Sequence, residues 1–168
     1  MYKLREIARK DIITINKWRN NDKLISNLGA PFRYINEEVD NNWYDNYMKN
    51  RANSVRCAIT DEDDEIIGLI SLVSIDYLNQ SGELHIMIGD EKNQGKGIGL
   101  FAVKEMINHA FNNLNLHRIE LSVLDSNIHA KKLYEKAGFK YEGTKKHAKY
   151  KNGKFIDMLI YAILKEEF

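Results

Sequence analysis

The sequence predicts a single mixed α/β (α+β) domain, a central sheet of about seven strands with about four helices, on three observations. The hydrophobic period switches repeatedly between two and three-to-four along the chain. A strand, a glycine cluster and a long apolar-striped helix follow one another between residues 83 and 124 as a βαβ crossover. No Gly/Ser-rich tract, repeat or low-complexity stretch divides the 168 residues, which are close to one ordinary domain, 1–168.

Each element has its own local reason. After a first strand, Asp11 caps a helix in which Ile12, Ile15 and Trp18 recur at helical spacing, and Arg19-Asn20-Asn21-Asp22 stops it. A second helix starts after Asn36, where Glu37 and Glu38 place negative charge at the positive end of the dipole. Val39, Trp43 and Tyr47 follow at i, i+4 and i+8 as its core-facing stripe. Residues 54–60 alternate, with Val55, Cys57 and Ile59 on one face, and Asp61-Glu62-Asp63-Asp64 turns the chain into a strand over Ile66–Ile75.

Glu83–Gly89 sets Leu84, Ile86 and Ile88 against Glu83, His85 and Met87, so one face is core and the other is available for chemistry. In the long helix beyond residues 95–99, Ala102, Val103, Met106, Ile107, Ala110, Phe111 and Leu114 form a core stripe. His117–Leu124 alternates again. Asn127–Ala137 is helical and ends at Gly138 as a left-handed cap, and Phe139–Gly143 is short and extended. Asn152-Gly153 supplies the positive-φ pair of a type I′ turn, with Ile156–Leu164 as the returning strand.

Composition removes several function classes. With 25 Lys and Arg against 24 Asp and Glu, the formal charge of +1 gives no global field for nucleic acid or an anionic membrane. The basic run Lys145-Lys146-His147-Lys149-Lys151 lies in a hairpin and is offset elsewhere, so no nucleic-acid partner is expected. The single cysteine, Cys57, forms no intramolecular disulfide, no C-x-x-C or paired His/Cys spacing calls for a metal, and a reducing compartment is expected. Without a signal-like N-terminus or a long apolar span, the expected location is cytoplasmic, with no membrane partner. Association into a homo-oligomer through strand edges or the last hairpin is left open.

Gln94-Gly95-Lys96-Gly97-Ile98-Gly99 sits between a buried strand and a helix start, where glycines let backbone amides approach a ligand and the helix dipole favours an anion. It is not a P-loop, because no Lys-Ser or Lys-Thr pair follows, and not a dinucleotide fingerprint, because position 100 is Leu100 rather than glycine. A flexible turn that binds nothing is the plain alternative.

Gln94-x-x-Gly97-x-Gly99 resembles the Q/R-x-x-G-x-G/A motif of the GCN5-related N-acetyltransferases (GNAT), whose loop amides hold the pyrophosphate of acetyl-coenzyme A. Asn127-Ile128-His129-Ala130-Lys131-Lys132-Leu133-Tyr134-Glu135-Lys136-Ala137-Gly138-Phe139 is similar to that family's N-x-x-A-x-x-L-Y-x-x-x-G-F segment. Both in order are far more specific than either alone, and the element order extends the resemblance over essentially the whole chain. It is greatest to the branch of RimJ/RimL-type ribosomal-protein acetyltransferases and bacterial spermidine acetyltransferases.

The resemblance implies a GNAT-like fold with splayed central strands and an N-acetyltransferase that uses acetyl-CoA as cosubstrate, without a metal. It assigns the coenzyme to Gln94, Gly95, Lys96, Gly97, Ile98 and Gly99, to the backbone of Ile86, Met87 and Ile88 as an added-strand partner, and to the side chains of Asn127 and Lys131. Ordinary structural duties are the alternatives: a helix cap for Asn127, a solvated lysine for Lys131.

Acetyl transfer from a thioester to an amine needs a neutral nucleophile, a stabilised oxyanion and a proton for the thiolate. The motif gives the last role to Tyr134, which would otherwise be a half-buried aromatic. An alkylammonium titrates near 10, so a base is needed. Glu83 is the first candidate, with substrate binding or no role as its alternatives, and His85 is the fallback.

The acceptor, a small-molecule or peptide amine, is expected over the first two helices, with Arg33 and Tyr44 facing it beside Glu83 and His85. Glu37, Glu38, Asp40 and Asp45 are available to attract a polyamine. Spermidine enzymes of the family tend to carry aromatic-acidic-acidic-Pro here, where this chain has Gly29-Ala30-Pro31-Phe32-Arg33-Tyr34, and that departure counts against polyamine specificity. A coenzyme-A-binding sensor or scaffold without turnover is the alternative to an enzyme.

Overall fold

The computed structural model describes residues 1–168. Seven strands form one sheet: β1 (Lys3–Glu6), β2 (Val55–Thr60), β3 (Ile66–Asp76), β4 (Ser81–Ile88), β5 (Arg118–Leu124), β6 (Lys140–Lys151) and β7 (Lys154–Leu164), in the order β1-β2-β3-β4-β5-β7-β6. Neighbours are antiparallel except β4 and β5, which the crossover makes parallel. Five helices cover it: α1 (Ile12–Arg19), α2 (Asp22–Ser26), α3 (Glu37–Lys49), α4 (Ile98–Asn108) and α5 (Ile128–Ala137).

The period-two pattern of each strand feeds two separate layers. Ile59, Ile70, Leu72, Leu84, Ile119, Leu121 and Val123 join the stripes of α4 and α5, with Phe111, Met106 and Ile107 among them, in one large core. On the opposite face Ile12, Ile15, Trp18 and Leu24 pack with Met87, and Ile7, Tyr47 and Ala58 form a neighbouring cluster. The sheet is therefore the wall between a layer of the longer helices α4 and α5 and a thinner layer built from α1–α3.

Most local readings hold, with four corrections. Asp11 does not cap α1 through its side chain; it is buried, accepts the Ala8 N–H at 2.8 Å and pairs with Arg5 at 2.8 Å. The polar stretch after Arg19 contains another short helix, α2, which Asn21 caps by accepting the Leu24 N–H. Val39 is 45% exposed, while Asp40 one residue on is fully buried. The extended segment read as Phe139–Gly143 is a twelve-residue strand, because β7 templates it as far as the turn. Asn36 caps α3, Gly138 closes α5 at φ 108°, and Asn152 and Gly153 both have positive φ, as read from the sequence.

Candidate active site

The feature that makes a site is a failure of pairing. β4 and β5 are in register only at Ser81–Arg118, Gly82–Ile119 and Glu83–Glu120, although β4 runs on to Ile88 and β5 to Leu124. Each keeps its outer neighbour over the whole distance, β3 on one side and β7 on the other. A wedge therefore opens at the carboxyl end of the parallel pair, where open α/β sheets place ligands, and its walls are unpaired backbone groups. Ile86, Met87 and Ile88 line one wall. Their side chains are spoken for, Ile86 and Ile88 by the large core and Met87 by the α1 cluster, so the backbone is what they offer the gap.

The chain leaving β4 closes the top of the wedge. Gly89 is obligatory there, since a Cβ would lie 1.9 Å from the Trp18 ring. Gly95 and Gly97 have φ of 74° and 81°, values that L side chains avoid, and a Cβ on either would meet nothing within 4 Å. Gly97 is the N-cap of α4 and has no side chain to satisfy the first-turn amides. Gln94, Lys96 and Gly97 are exposed and Ile98 is buried in the core, so the loop presents amides and one lysine to open space while Ile98 anchors it. This fits a pyrophosphate.

Tyr134 lies on α5, whose neighbouring Leu133 packs against Gly99 at the start of α4. Tyr134 is 7% exposed and packs edge-on to Phe139 with ring centroids 6.0 Å apart. Its hydroxyl has no hydrogen-bond partner in the chain, yet it is not among polar atoms sealed from solvent. Burial pushes the phenol up to about 12, so it stays protonated and available as a donor.

Asn127 caps α5 by accepting the Ala130 N–H at 3.1 Å, and its amide donates to the Asn27 carbonyl at 3.0 Å. Lys131 is paired with Asp125 at 2.8 Å. The helix-cap alternative for Asn127 is thus realised in the fold, whereas Lys131, its side chain 19% exposed, is ion-paired rather than simply solvated.

Glu83 and His85 face the α1–α3 side of the sheet with Met87, 3.2 Å apart, Glu83 partly covered and His85 open. Glu120, missed in the sequence, is the register partner of Glu83 and shares its face, so two carboxylates flank the point where the strands part. Only alternation within β5 hinted at it; the pairing with β4 is a long-range fact.

The acceptor-side readings divide. Arg33 is exposed and unpaired. Tyr44 packs between the two small clusters with the Arg9 guanidinium 4.9 Å over its ring. Asp40 and Asp45 are not free acids. Asp40 accepts from Asn16 Nδ2 at 2.8 Å and pairs with Arg19, and Asp45 pairs with Arg9.

Segment 27–35 is strapped at several points: Asn27 by Asn127, Ala30 by the buried Lys151 ammonium, and Ile35 by Asn20, which takes its N–H at 3.0 Å and gives to its carbonyl at 2.7 Å. Lys151 also donates to the Ile25 carbonyl at 3.0 Å, and burial together with Lys149 lowers its pKa. No group of three or more His, Cys, Asp or Glu is arranged to hold a metal, and no helix is long and apolar enough to cross a membrane.

Residues 2–140 match the model of the acetyltransferase (GNAT) domain. The chain is 31% identical over 166 residues to spermidine N(1)-acetyltransferase of Vibrio cholerae, covering 98% of this chain and 94% of that one. It is 29% identical over 167 residues to spermidine N(1)-acetyltransferase of Escherichia coli K12, covering 99% and 87%. The crystal structure of the Vibrio cholerae spermidine N-acetyltransferase in complex with CoA and spermine superposes with a TM-score of 0.92 at 29% identity, over 99% of this chain and 96% of that one. With its strand wedge, its glycine loop and a family match over most of its length, this chain belongs to the GNAT acetyltransferase family.

Proposed function

We propose that the protein transfers an acetyl group from acetyl-coenzyme A to a primary amine by direct attack in a ternary complex. The observation that carries this reading is the wedge between β4 and β5, which opens immediately past Glu83 and Glu120 and is closed above by Gly95, Gly97 and the N-terminus of α4. The loop amides hold the coenzyme's pyrophosphate, and the unpaired edge at Ile86–Ile88 takes its pantetheine arm as an added strand. Bound there, the coenzyme supplies an activated acyl group.

Proton accounting sets the remaining roles. An ammonium must lose two protons to become an amide, one before attack and one after it. Glu83, directly or through water and with His85 beside it, takes the first. The second ends on the departing sulfur, which Tyr134 stabilises as a donor. An ordinary thiol titrates at about 8.5, well below this phenol, so Tyr134 supports the developing thiolate by hydrogen bonding and does not surrender its own proton permanently. The names of the near-full-length relatives place polyamines on the list of acceptors to be tried.

The test is acceptor-dependent thiol release from acetyl-CoA across peptides, polyamines and amino sugars. Release with at least one amine is expected. Coenzyme binding without release from any of them would favour a non-catalytic sensor.

A further inference from the structure

The β6–β7 hairpin outruns its neighbours. β5 ends at Leu124, opposite Met158, so the hairpin beyond Met158 and its partner Lys145 extends past the carboxyl end of the parallel pair, where the wedge opens. Residues paired across an antiparallel ladder share a face. Lys145 pairs with Met158, Lys149 with Ile156 and Lys151 with Lys154, so these four lysines lie on one face. It is the α1–α3 face: Met158 Cε and Lys149 Cε both come within 4 Å of a Cβ built on Gly29, and Lys151 reaches Ile25 and Ala30.

Little of their charge is compensated: the Asp22 carboxylate acts on Lys151 from a distance, and none of the four is in an ion pair. Lys145, Lys149 and Lys154 form no ion pair, and Lys151 holds carbonyls rather than a carboxylate. From Gly143 to Met158 the sequence contains one acid, Asp157, on the other face with its carboxylate accepting the His147 N–H. Segment 27–34 adds Arg33 and no acid. The same face carries Glu83 and Glu120 at its other end, Glu83 beside His85 and Glu120 paired with Arg118, each at 3.2 Å, so that side is polar in the electrostatic sense: a carboxylate pair that an ammonium would share with these partners at the parting of the strands, and a lysine rim above it.

We infer that the acceptor is a primary amine carrying an anionic group on the same molecule, its nitrogen seated at Glu83 and Glu120 and its anion on Lys145 and Lys149. This rests on the acetyl-transfer reading and names its substrate class. A polyamine satisfies one end only and brings its remaining ammonium groups against the rim. From Glu83 to Lys145 the route crosses β4-β5-β7-β6 and climbs from Ala162 to Met158, roughly 20 Å between backbones at ordinary strand spacings. With long side chains reaching inward, nitrogen and anion sit on the order of 10 Å apart, about three extended residues. A peptide N-terminus followed by acids and a small phosphorylated amine share this chemistry.

The test measures kcat/KM for matched acceptors at low and high salt: a tetrapeptide with glutamate at its third and fourth positions against its lysine counterpart, glucosamine 6-phosphate against glucosamine, and spermidine. Expected are anionic members at least tenfold above their partners and above spermidine, with the advantage shrinking at high salt as screening shortens its reach. The Lys145→Glu/Lys149→Glu variant, with coenzyme affinity and melting temperature as fold controls, is expected to invert the order. Which anionic arm is faster separates a peptide from a small-molecule source. Preference for spermidine or the lysine peptide, unmoved by salt, would overturn this inference and leave acetyl transfer standing. Release from no amine would overturn acetyl transfer and this inference with it.

Discussion

The two sides of the sheet offer different means of recognition. The side proposed for the coenzyme offers backbone: glycines at left-handed φ, the N-terminal amides of α4 and an unpaired strand edge. The acceptor side uses side chains, with Asp40, Asn16, Asn20 and Lys151 holding segment 27–35 and charges of both signs arranged across its face. Backbone recognition requires local sequence, because only glycine tolerates those angles, and local sequence leaves a motif. Side-chain recognition draws single residues from α1, α3, β4, β5 and β6, and leaves none.

Substitutions probe whether the two sides separate. The largest effect is expected at their meeting point: Glu83→Gln lowers turnover by about 10²–10⁴-fold, the range for a positioned acid or base, with coenzyme affinity unchanged by calorimetry. On the coenzyme side alone, Gly97→Val forces a branched side chain to φ 81°. At ~1–2 kcal/mol for a left-handed residue, about a tenfold loss of coenzyme affinity is expected, with the relative rates of different amines preserved. A changed amine preference in this variant would show that the sides are coupled.

On the acceptor side alone, Asp40→Asn leaves Arg19 without its counter-ion and is expected to cost about 1–3 kcal/mol in denaturant unfolding, raising acceptor KM while coenzyme affinity holds. The smallest effect on turnover lies outside both and is confined to stability at alkaline pH. Burial raises the Cys57 thiol from 9.0 to about 11, so the unfolded chain loses this proton first as pH rises. The contribution is complete below pH 9 and falls away towards pH 11, by roughly 2 to 3 kcal/mol. Cys57→Ala is expected to flatten that part of the stability curve relative to the parent.

The same contrast explains what the sequence disclosed. Gln94–Gly99 and Asn127–Phe139 are contiguous, so the loop, both helices and Tyr134 were readable as they stand. The surroundings of Tyr44 were not legible, because a helical stripe shows which residues share a face and not which neighbour that face meets; Tyr44 meets Arg9 and the α1 cluster. Asp40 looked like one more surface acid in an acidic turn, and its burial depends on Asn16 and Arg19 from another helix. β6 was cut short because its exposed, lysine-rich sequence has no hydrophobic alternation, its extended form being imposed by β7. Glu120 became visible only once β5 was set in register with β4.

If the wedge is a site of turnover and Tyr134 acts on the leaving sulfur without contributing to coenzyme binding, affinity and rate come apart when its hydroxyl is removed. This is tested most directly by measuring coenzyme affinity and single-turnover thiol release in one preparation of Tyr134→Phe. Expected are unchanged affinity and release slowed by at least about a hundredfold, the lower end for a lost positioned proton donor. Release at the parental rate would contradict this role for Tyr134.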